Sequence, residues 1–327
     1  MTALQPPTVA EVHAAAKRVK GVVVRTPLLE SPLLNRQLGA RFLFKAEPLQ
    51  RTGSFKLRGA TNFVAAMTPE ERARGIVAYS SGNHAQAVAA AAHAAGVSAK
   101  IVMPTDAPRI KLESTRAWGA TIVTYDRLTG DRQAIAEGIA KAEGRVIAPP
   151  FDHPLIIAGQ GTAGLEIVED LQALTVAPDI VAAPCGGGGL VSGVALAIKE
   201  TFPEAAIHAV EPEANDDTAR SWATGERQRA DLTRPTICDS LQTSMPGMLT
   251  LTINWRLLAG VATVSDSDVR AAVRLAFEFL KLVVEPGGAV GFAAALSGRF
   301  PTASKTVVVL LSGGNVDAER FADCLRP

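Results

Sequence analysis

The sequence has 327 residues, 47% of them hydrophobic and 20% charged, the balance of a soluble globular protein long enough for two compact lobes. A net charge of +1 and an aromatic content of 5% give no support for a nucleic-acid or anionic-membrane surface. The three cysteines, Cys185, Cys238 and Cys324, form no C-x-x-C pair. They argue against a disulfide framework and for a reducing, cytoplasmic compartment.

Residues 1–10 carry no basic region followed by an apolar core, so no signal peptide is expected. Thr8 and Glu11 have capping-box spacing for a helix running to about Lys20, and 22–29 reads as extended. The alternation in 41–45 predicts a strand leading to Thr52-Gly53-Ser54-Phe55-Lys56, where Gly53 takes a turn and Ser54 caps a helix over 54–67. A strand–helix rhythm follows: strands at 75–79, 99–103 and 121–125, helices at 85–95, 108–118 and 130–143. The helix at 85–95 is the most apolar stretch and is too short to span a bilayer. Beyond Pro149-Pro150 the expected helices are 161–171, 190–200, 216–226, 265–282 and 291–297. Buried strands are expected at 179–183, 206–210 and 306–311, and 227–239 reads as irregular. Short strands between helices of ten or more residues imply parallel or mostly parallel sheets covered by helices. The expected architecture is a two-lobed α/β protein, with a large lobe of 1–50 and 152–327 and a small mobile lobe, 51–151, inserted into it.

Three polar or glycine-rich turns follow buried strands and open helices: 80–84, 186–189 and 312–315. Ligands in open α/β sheets bind beyond the carboxyl ends of the strands, so the three turns should meet in one crevice. Gly186, Gly187, Gly188 and Gly189 let bare N–H groups face one anion at a helix N-terminus. No Gly-Lys-Ser/Thr follows and there is no G-x-G-x-x-G fingerprint, so a phosphate outside a nucleotide is the natural ligand. Ser80-Ser81-Gly82-Asn83-His84 suits a carboxylate or another small anion, and ordinary N-capping would explain the same residues.

Together, Ser54-Phe-Lys-Leu-Arg-Gly59, Ser80-Ser-Gly-Asn-His84, glycines 186–189 and Leu311-Ser-Gly-Gly-Asn315 resemble the fold-type II pyridoxal-phosphate enzymes (the tryptophan synthase beta-like fold). The resemblance is to the serine/threonine dehydratase and serine racemase group, and it covers nearly the whole chain. It implies that Lys56 forms the Schiff base with pyridoxal 5'-phosphate, that Phe55 packs by the ring and that Asn83 binds its phenolic oxygen. It also implies that Gly186–Gly189 hold the phosphate, that Ser312 sits at the pyridine nitrogen, and that Ser80, Ser81 and Asn83 receive the substrate carboxylate. The implied reaction is ammonia-lyase action on a β-hydroxy amino acid such as L-threonine or L-serine. In racemase-like relatives the position of Ser81 holds a second acid/base; elimination needs a base on one face only. A homodimer is implied as well.

Glu211-Pro-Glu-Ala-Asn-Asp-Asp217 reads by itself as an acidic loop capping the next helix. The resembling enzymes place a divalent cation there, and Glu211, Asn215 and Asp217 match its spacing; oxygen ligands suit magnesium, manganese or calcium. The chain departs from the pattern at Cys238-Asp239-Ser240, where relatives have Ala-Asp-Gly. Gln242 and Thr243 are placed to reach a polar substrate side chain, so a larger or acidic substrate such as 3-hydroxyaspartate stands as the alternative to serine and threonine. Racemisation with side elimination and non-catalytic amino-acid binding are the other readings. About a dozen residues follow Asn315, too few for the regulatory domain of biosynthetic threonine dehydratases, so no feedback through such a domain is expected.

Overall fold

The computed structural model describes residues 4–326 except Ser81, Pro108, Arg127, Leu128 and the side chains of residues 109–111. Its strands are β1 (Leu28–Glu30), β2 (Arg41–Ala46), β3 (Ile76–Tyr79), β4 (Ala99–Pro104), β5 (Thr121–Tyr125), β6 (Val146–Ile147), β7 (Ile180–Pro184), β8 (Ala206–Pro212), β9 (Gly260–Val264) and β10 (Thr306–Leu311). They form a six-stranded sheet ordered β1-β2-β10-β7-β8-β9 and a four-stranded sheet ordered β5-β4-β3-β6. Every pairing is parallel except β1 with β2.

The larger sheet's centre is β10, read as Thr-Val-Val-Val-Leu-Leu, with Val307 paired to Phe42 on one side and Ile180 on the other. Such a run without alternation is what burial on both faces requires. Phe42, Phe44 and Phe292 pack ring to ring beneath it, the closest pair at 4.9 Å. The smaller sheet is covered by helix Asn83–Ala94, whose alanines lie against Ile76, Ala78, Ile101 and Met103.

The expected α/β class with mostly parallel sheets is the one found. Local differences have identifiable causes. Helix Pro154–Ala173 starts well before residue 161, because His153 caps it by accepting from Leu155 N–H (3.2 Å) and Pro154 takes the first turn, where its missing N–H costs nothing. Its glycines are close-approach points: a Cβ on Gly159 would lie 2.6 Å from Gly59 Cα. Ser54 does not cap the lysine helix. The chain at Ser54 bridges Gly313 instead, Phe55 N–H donates to Ser312 O (3.1 Å), and the helix runs Lys56–Ala65. Gly53 does take the expected turn, at φ +69°. Of 22–29, only Leu28 and Leu29 enter a strand. Helices Pro32–Leu38 and Met248–Leu257, and β9, were not anticipated. The first had a readable signal in Ser31 before Pro32 and Gly39 after Leu38, with Gly39 left-handed at φ +64°. Among the described residues no helix is long and apolar enough to cross a membrane.

Candidate active site

Four helices begin in one place. Lys56, Asn83 and Gly189 are the first residues of their helices, and Glu285 immediately precedes helix Pro286–Leu296. They stand beyond the carboxyl ends of β3, β7 and β10, whose following turns carry Ser80, Gly186 and Ser312. A cavity of about 190 Å³ lies between them, lined by Phe55, Lys56, Ser80, Asn83, Gly186–Gly189, Gln242, Thr243 and Ser312. These separate sequence segments therefore converge as expected. Ser81 lies outside the described residues.

Lys56 Nζ donates to Pro150 O at 2.8 Å. Withdrawal from water lowers its pKa to about 8, and the charge of Glu285 opposes that fall. His84 is buried, with Nε2 3.0 Å from Ala148 O; burial, reinforced by the charge of Lys56, lowers its pKa to about 3, so the ring is neutral. A carbonyl can only accept, so Nε2 carries the proton.

The glycine turn is shaped by what lies behind it. A Cβ on Gly187 would enter the Phe151 ring, and Gly188 is left-handed at φ +91°, with Thr250 Cβ 2.9 Å from where its own Cβ would stand. Only glycine fits at Gly187 and Gly188 against these neighbours.

The helix bearing Lys56 is clamped by buried charge that sequence reasoning missed. Arg58 donates to Glu47 (2.8 and 2.9 Å) and Glu166 (2.7 and 2.8 Å), Lys45 donates to Glu166 (2.6 Å) and Thr26 O (2.7 Å), and Thr26 donates to Glu47 (2.6 Å). Burial alone would discharge these groups; the facing carboxylates more than offset it at Arg58, whose pKa is raised.

Glu285 was also missed. It is 3% exposed and accepts from Asn83 Nδ2 at 2.6 Å. A lone acid before Pro286-Gly287-Gly288, inside an otherwise apolar run, was the available signal. Arg132, which lines the cavity with its guanidinium 6.0 Å from the Tyr79 ring centre, had no such signal.

A sequence profile described as "Pyridoxal-phosphate dependent enzyme" matches residues 19–313. The chain belongs to this family. It is 43% identical over 316 residues to an L-threo-3-hydroxyaspartate ammonia-lyase of Saccharomyces cerevisiae, covering 97% of this chain and 95% of that protein. It is 40% identical over 319 residues to a serine racemase of Schizosaccharomyces pombe, covering 98% and 97%. The solved structure of a T.th. threonine deaminase superposes with a TM-score of 0.89 at 43% identity, covering 95% of this chain and 99% of that one. These are ammonia-lyases and a racemase, and the fold is that of fold-type II pyridoxal-phosphate enzymes.

The family's cofactor fits the cavity. A primary amine, a turn of bare glycine backbone along the cavity wall and a helix N-terminus suit an aldehyde and a phosphate on one small molecule. In the cavity lining, Thr243 Oγ1 is buried with no partner among the described residues. Ser240, the departure from the relatives' glycine, is accommodated by Gly287, whose Cβ would strike Ser240 Oγ.

Away from the cavity, Glu211 accepts from Thr218 N–H (3.2 Å) and Ala219 N–H (2.9 Å), capping helix Asp217–Thr224. Asn215 Nδ2 donates to Asp217 Oδ1 (2.7 Å), while Asn215 Oδ1 and Asp217 Oδ2 are buried with no partner among the described residues. Burial, and then the charge of Asp217, pushes the Glu211 carboxyl well above its usual range; burial raises Asp217 to about 7. Among the described residues no group of three His, Cys, Asp or Glu is gathered as for a metal, so a cation here would depend on Asn215 and backbone oxygen as well.

Proposed function

We propose that this protein is a pyridoxal-phosphate-dependent ammonia-lyase acting on a β-hydroxy amino acid with a second carboxylate, 3-hydroxyaspartate, and releasing a 2-oxo acid and ammonia. The observation that carries the substrate choice is Arg132. It is the second cation, with Lys56, in a cavity lining that also carries Asp239, Glu285 and Thr243, whose hydroxyl has no partner among the described residues. The α-carboxylate is common to all the candidate substrates; beyond it serine and threonine offer no anion for a guanidinium, whereas the side-chain carboxylate of hydroxyaspartate does. The hydroxyaspartate lyase among the relatives supports the same choice.

The roles proposed are those that the family resemblance implies for these residues. Lys56 holds the cofactor, Phe55 packs beside it, Gly186–Gly189 take its phosphate, Asn83 donates to its phenolic oxygen and Ser312 faces its ring nitrogen. Pyridoxal phosphate, when bound, supplies an electron sink for the substrate's α-carbon. A serine facing the ring nitrogen does not force that nitrogen to stay protonated, which keeps the sink mild and suits elimination. Ser80, Ser81 and Asn83, at a helix N-terminus, receive the α-carboxylate. Lys56, whose amine pKa burial lowers to about 8, takes the α-proton. The hydroxyl departs from the β-carbon; α-proton and hydroxide together amount to the water lost, and the released enamine tautomerises to an imine that takes up one water to give the 2-oxo acid and ammonia. Gln242, Thr243 and Arg132 hold the side chain. The inserted segment 51–151 acts as the mobile small lobe, closing to exclude water. A divalent cation (magnesium, manganese or calcium) is held by Glu211, Asn215 and Asp217 and is structural. The working form is a homodimer.

The test is 2-oxo acid formation from L-serine, L-threonine and the 3-hydroxyaspartate stereoisomers, by wild type and Arg132→Gln. One hydroxyaspartate isomer should lead by at least about tenfold in kcat/KM, and Arg132→Gln should erase that lead with little change on serine, as expected for loss of a charge-assisted pair. A wild-type preference for serine or threonine would overturn the substrate assignment and leave the lyase assignment intact.

A further inference from the structure

Asn315 closes the Leu311-Ser-Gly-Gly-Asn315 motif, yet none of the roles above uses it. Its amide Nδ2 donates twice, to Thr52 O (2.8 Å) and to Asn83 Oδ1 (2.7 Å). Asn83 Nδ2 in turn donates to Glu285 Oε1 (2.6 Å). The two ends of this chain fix its direction. Thr52 O is a backbone carbonyl and only accepts, so the NH2 side of Asn315 must face it. That side also reaches Asn83, which must answer with its oxygen. The NH2 of Asn83 then points the other way, toward the Glu285 carboxylate and the cavity. Were Asn83 flipped, NH2 would oppose NH2 at one end and carbonyl would oppose carboxylate at the other.

The geometry is built rather than incidental. Segment 312–315 is stitched to 53–55 by the Ser54–Gly313 bridge, by Phe55 N–H to Ser312 O (3.1 Å) and by Gly314 N–H to Gly53 O (2.9 Å). The Asn315 amide occupies the space a side chain on residue 53 would take, since a Cβ on Gly53 would run into Asn315 Oδ1. The glycine of the lysine turn thus makes room for the amide that orients Asn83.

We propose that Asn315 is a positioning residue. It keys the Asn83 amide so that an N–H, not the carbonyl, faces the phenolic oxygen of the cofactor. Asn83 has two N–H groups; Glu285 takes one and the second is available to that oxygen. A donor there favours the ionised oxygen. A carbonyl there favours the protonated oxygen, which would donate back to it. This rests on the cofactor reading and not on the identity of the substrate.

The experiment is the pH-dependent visible absorption of the cofactor-loaded enzyme without substrate. It compares the long-wavelength band of the ionised ring oxygen with the short-wavelength band of the protonated one, in wild type, Asn315→Ser, Asn315→Asp, Asn83→Ala and the Asn315→Ser/Asn83→Ala double variant. Asn315→Ser should keep its bound cofactor and lower the long-to-short band ratio about threefold to tenfold, the span of one hydrogen bond's net worth. Asn315→Asp, which can only accept, should turn the Asn83 NH2 toward itself and lower the ratio further. In the Asn83→Ala background the serine change should add nothing, as required when one residue acts through the other. A wild-type ratio in either single variant at full cofactor content overturns the proposal, as does an equal drop with and without Asn83. Absence of the visible band in wild type overturns the cofactor reading itself, so the two failures are distinguishable.

Discussion

Two clusters of buried charge in this molecule are built on opposite plans. Beneath the lysine helix, Lys45 and Arg58 face Glu47 and Glu166, two cations against two carboxylates, with hydrogen bonds between them. At the end of β8, Glu211 and Asp217 are both acids, with no cation in hydrogen-bond contact among the described residues and two side-chain oxygens left without a partner there. Burial disfavours charge in both places. The first cluster offsets this internally: the Arg58 pKa is raised and that of Glu47 lowered, although burial still lowers Lys45, and the hydrogen bonds lock the first turn of the lysine helix to β2 and to helix Pro154–Ala173. The second has no internal remedy, so its carboxyl pKa values rise. A balanced buried cluster is complete as structure, whereas a one-signed cluster with orphaned oxygens is complete only with something added from outside.

If that contrast is right, removing a charge should have opposite signs in the two clusters. Arg58→Met should be the most damaging change. It strands Glu47 and Glu166 in the interior and should cost about 3–5 kcal/mol, the usual penalty for breaking a buried pair. Urea unfolding of the cofactor-free protein measures it, and a loss below about 1 kcal/mol would mean that the network is not holding the helix. At the acidic cluster, Asp217→Asn should not destabilise the protein in EDTA, because it removes one of two like charges. Adding magnesium or calcium to wild type at about 100 times the dissociation constant should raise Tm by roughly 5 °C, and Asp217→Asn should lose that response. A wild-type Tm indifferent to chelator and metal would sink the cation assignment.

How far the sequence reached follows the same division between local and long-range cause. Strand β10 was legible to the residue, because Thr306 and five apolar residues between a lysine and a Ser-Gly-Gly turn have one sensible conformation. The convergence of turns 80–84, 186–189 and 312–315 was legible because parallel sheets put such turns at one edge. Ser54 was misread as a cap because its partner, Gly313, is more than 250 positions away in the chain and no local pattern signals the bridge. Lys45, Glu47, Arg58 and Glu166 come from separate elements, and each alone looks like an ordinary surface charge. Arg132 lies on a helix with nothing in its spacing to distinguish it. Pairwise geometry that joins distant segments was the part that needed coordinates.

His84 offers a third case, a buried titratable ring with no acid to balance it. Its pKa falls to about 3 because burial and Lys56 both oppose the charge. The unfolded chain binds the proton near pH 6.5, the folded protein only near pH 3, so the unfolded state takes up more protons between those values. The stability from the neutral ring is therefore full above pH 6.5 and is lost as pH falls toward 3. At pH 5 the loss amounts to about 2 kcal/mol by linkage. His84→Asn keeps a donor for Ala148 O and cannot titrate, so other acid-titrating groups cancel when the two proteins are compared. Urea unfolding of the cofactor-free forms at about pH 7.5 and pH 5 should show wild type losing about 2 kcal/mol more than the variant. Equal losses would mean that the protonated ring finds a partner, and His84 would then belong with the balanced cluster and not with the solitary buried groups.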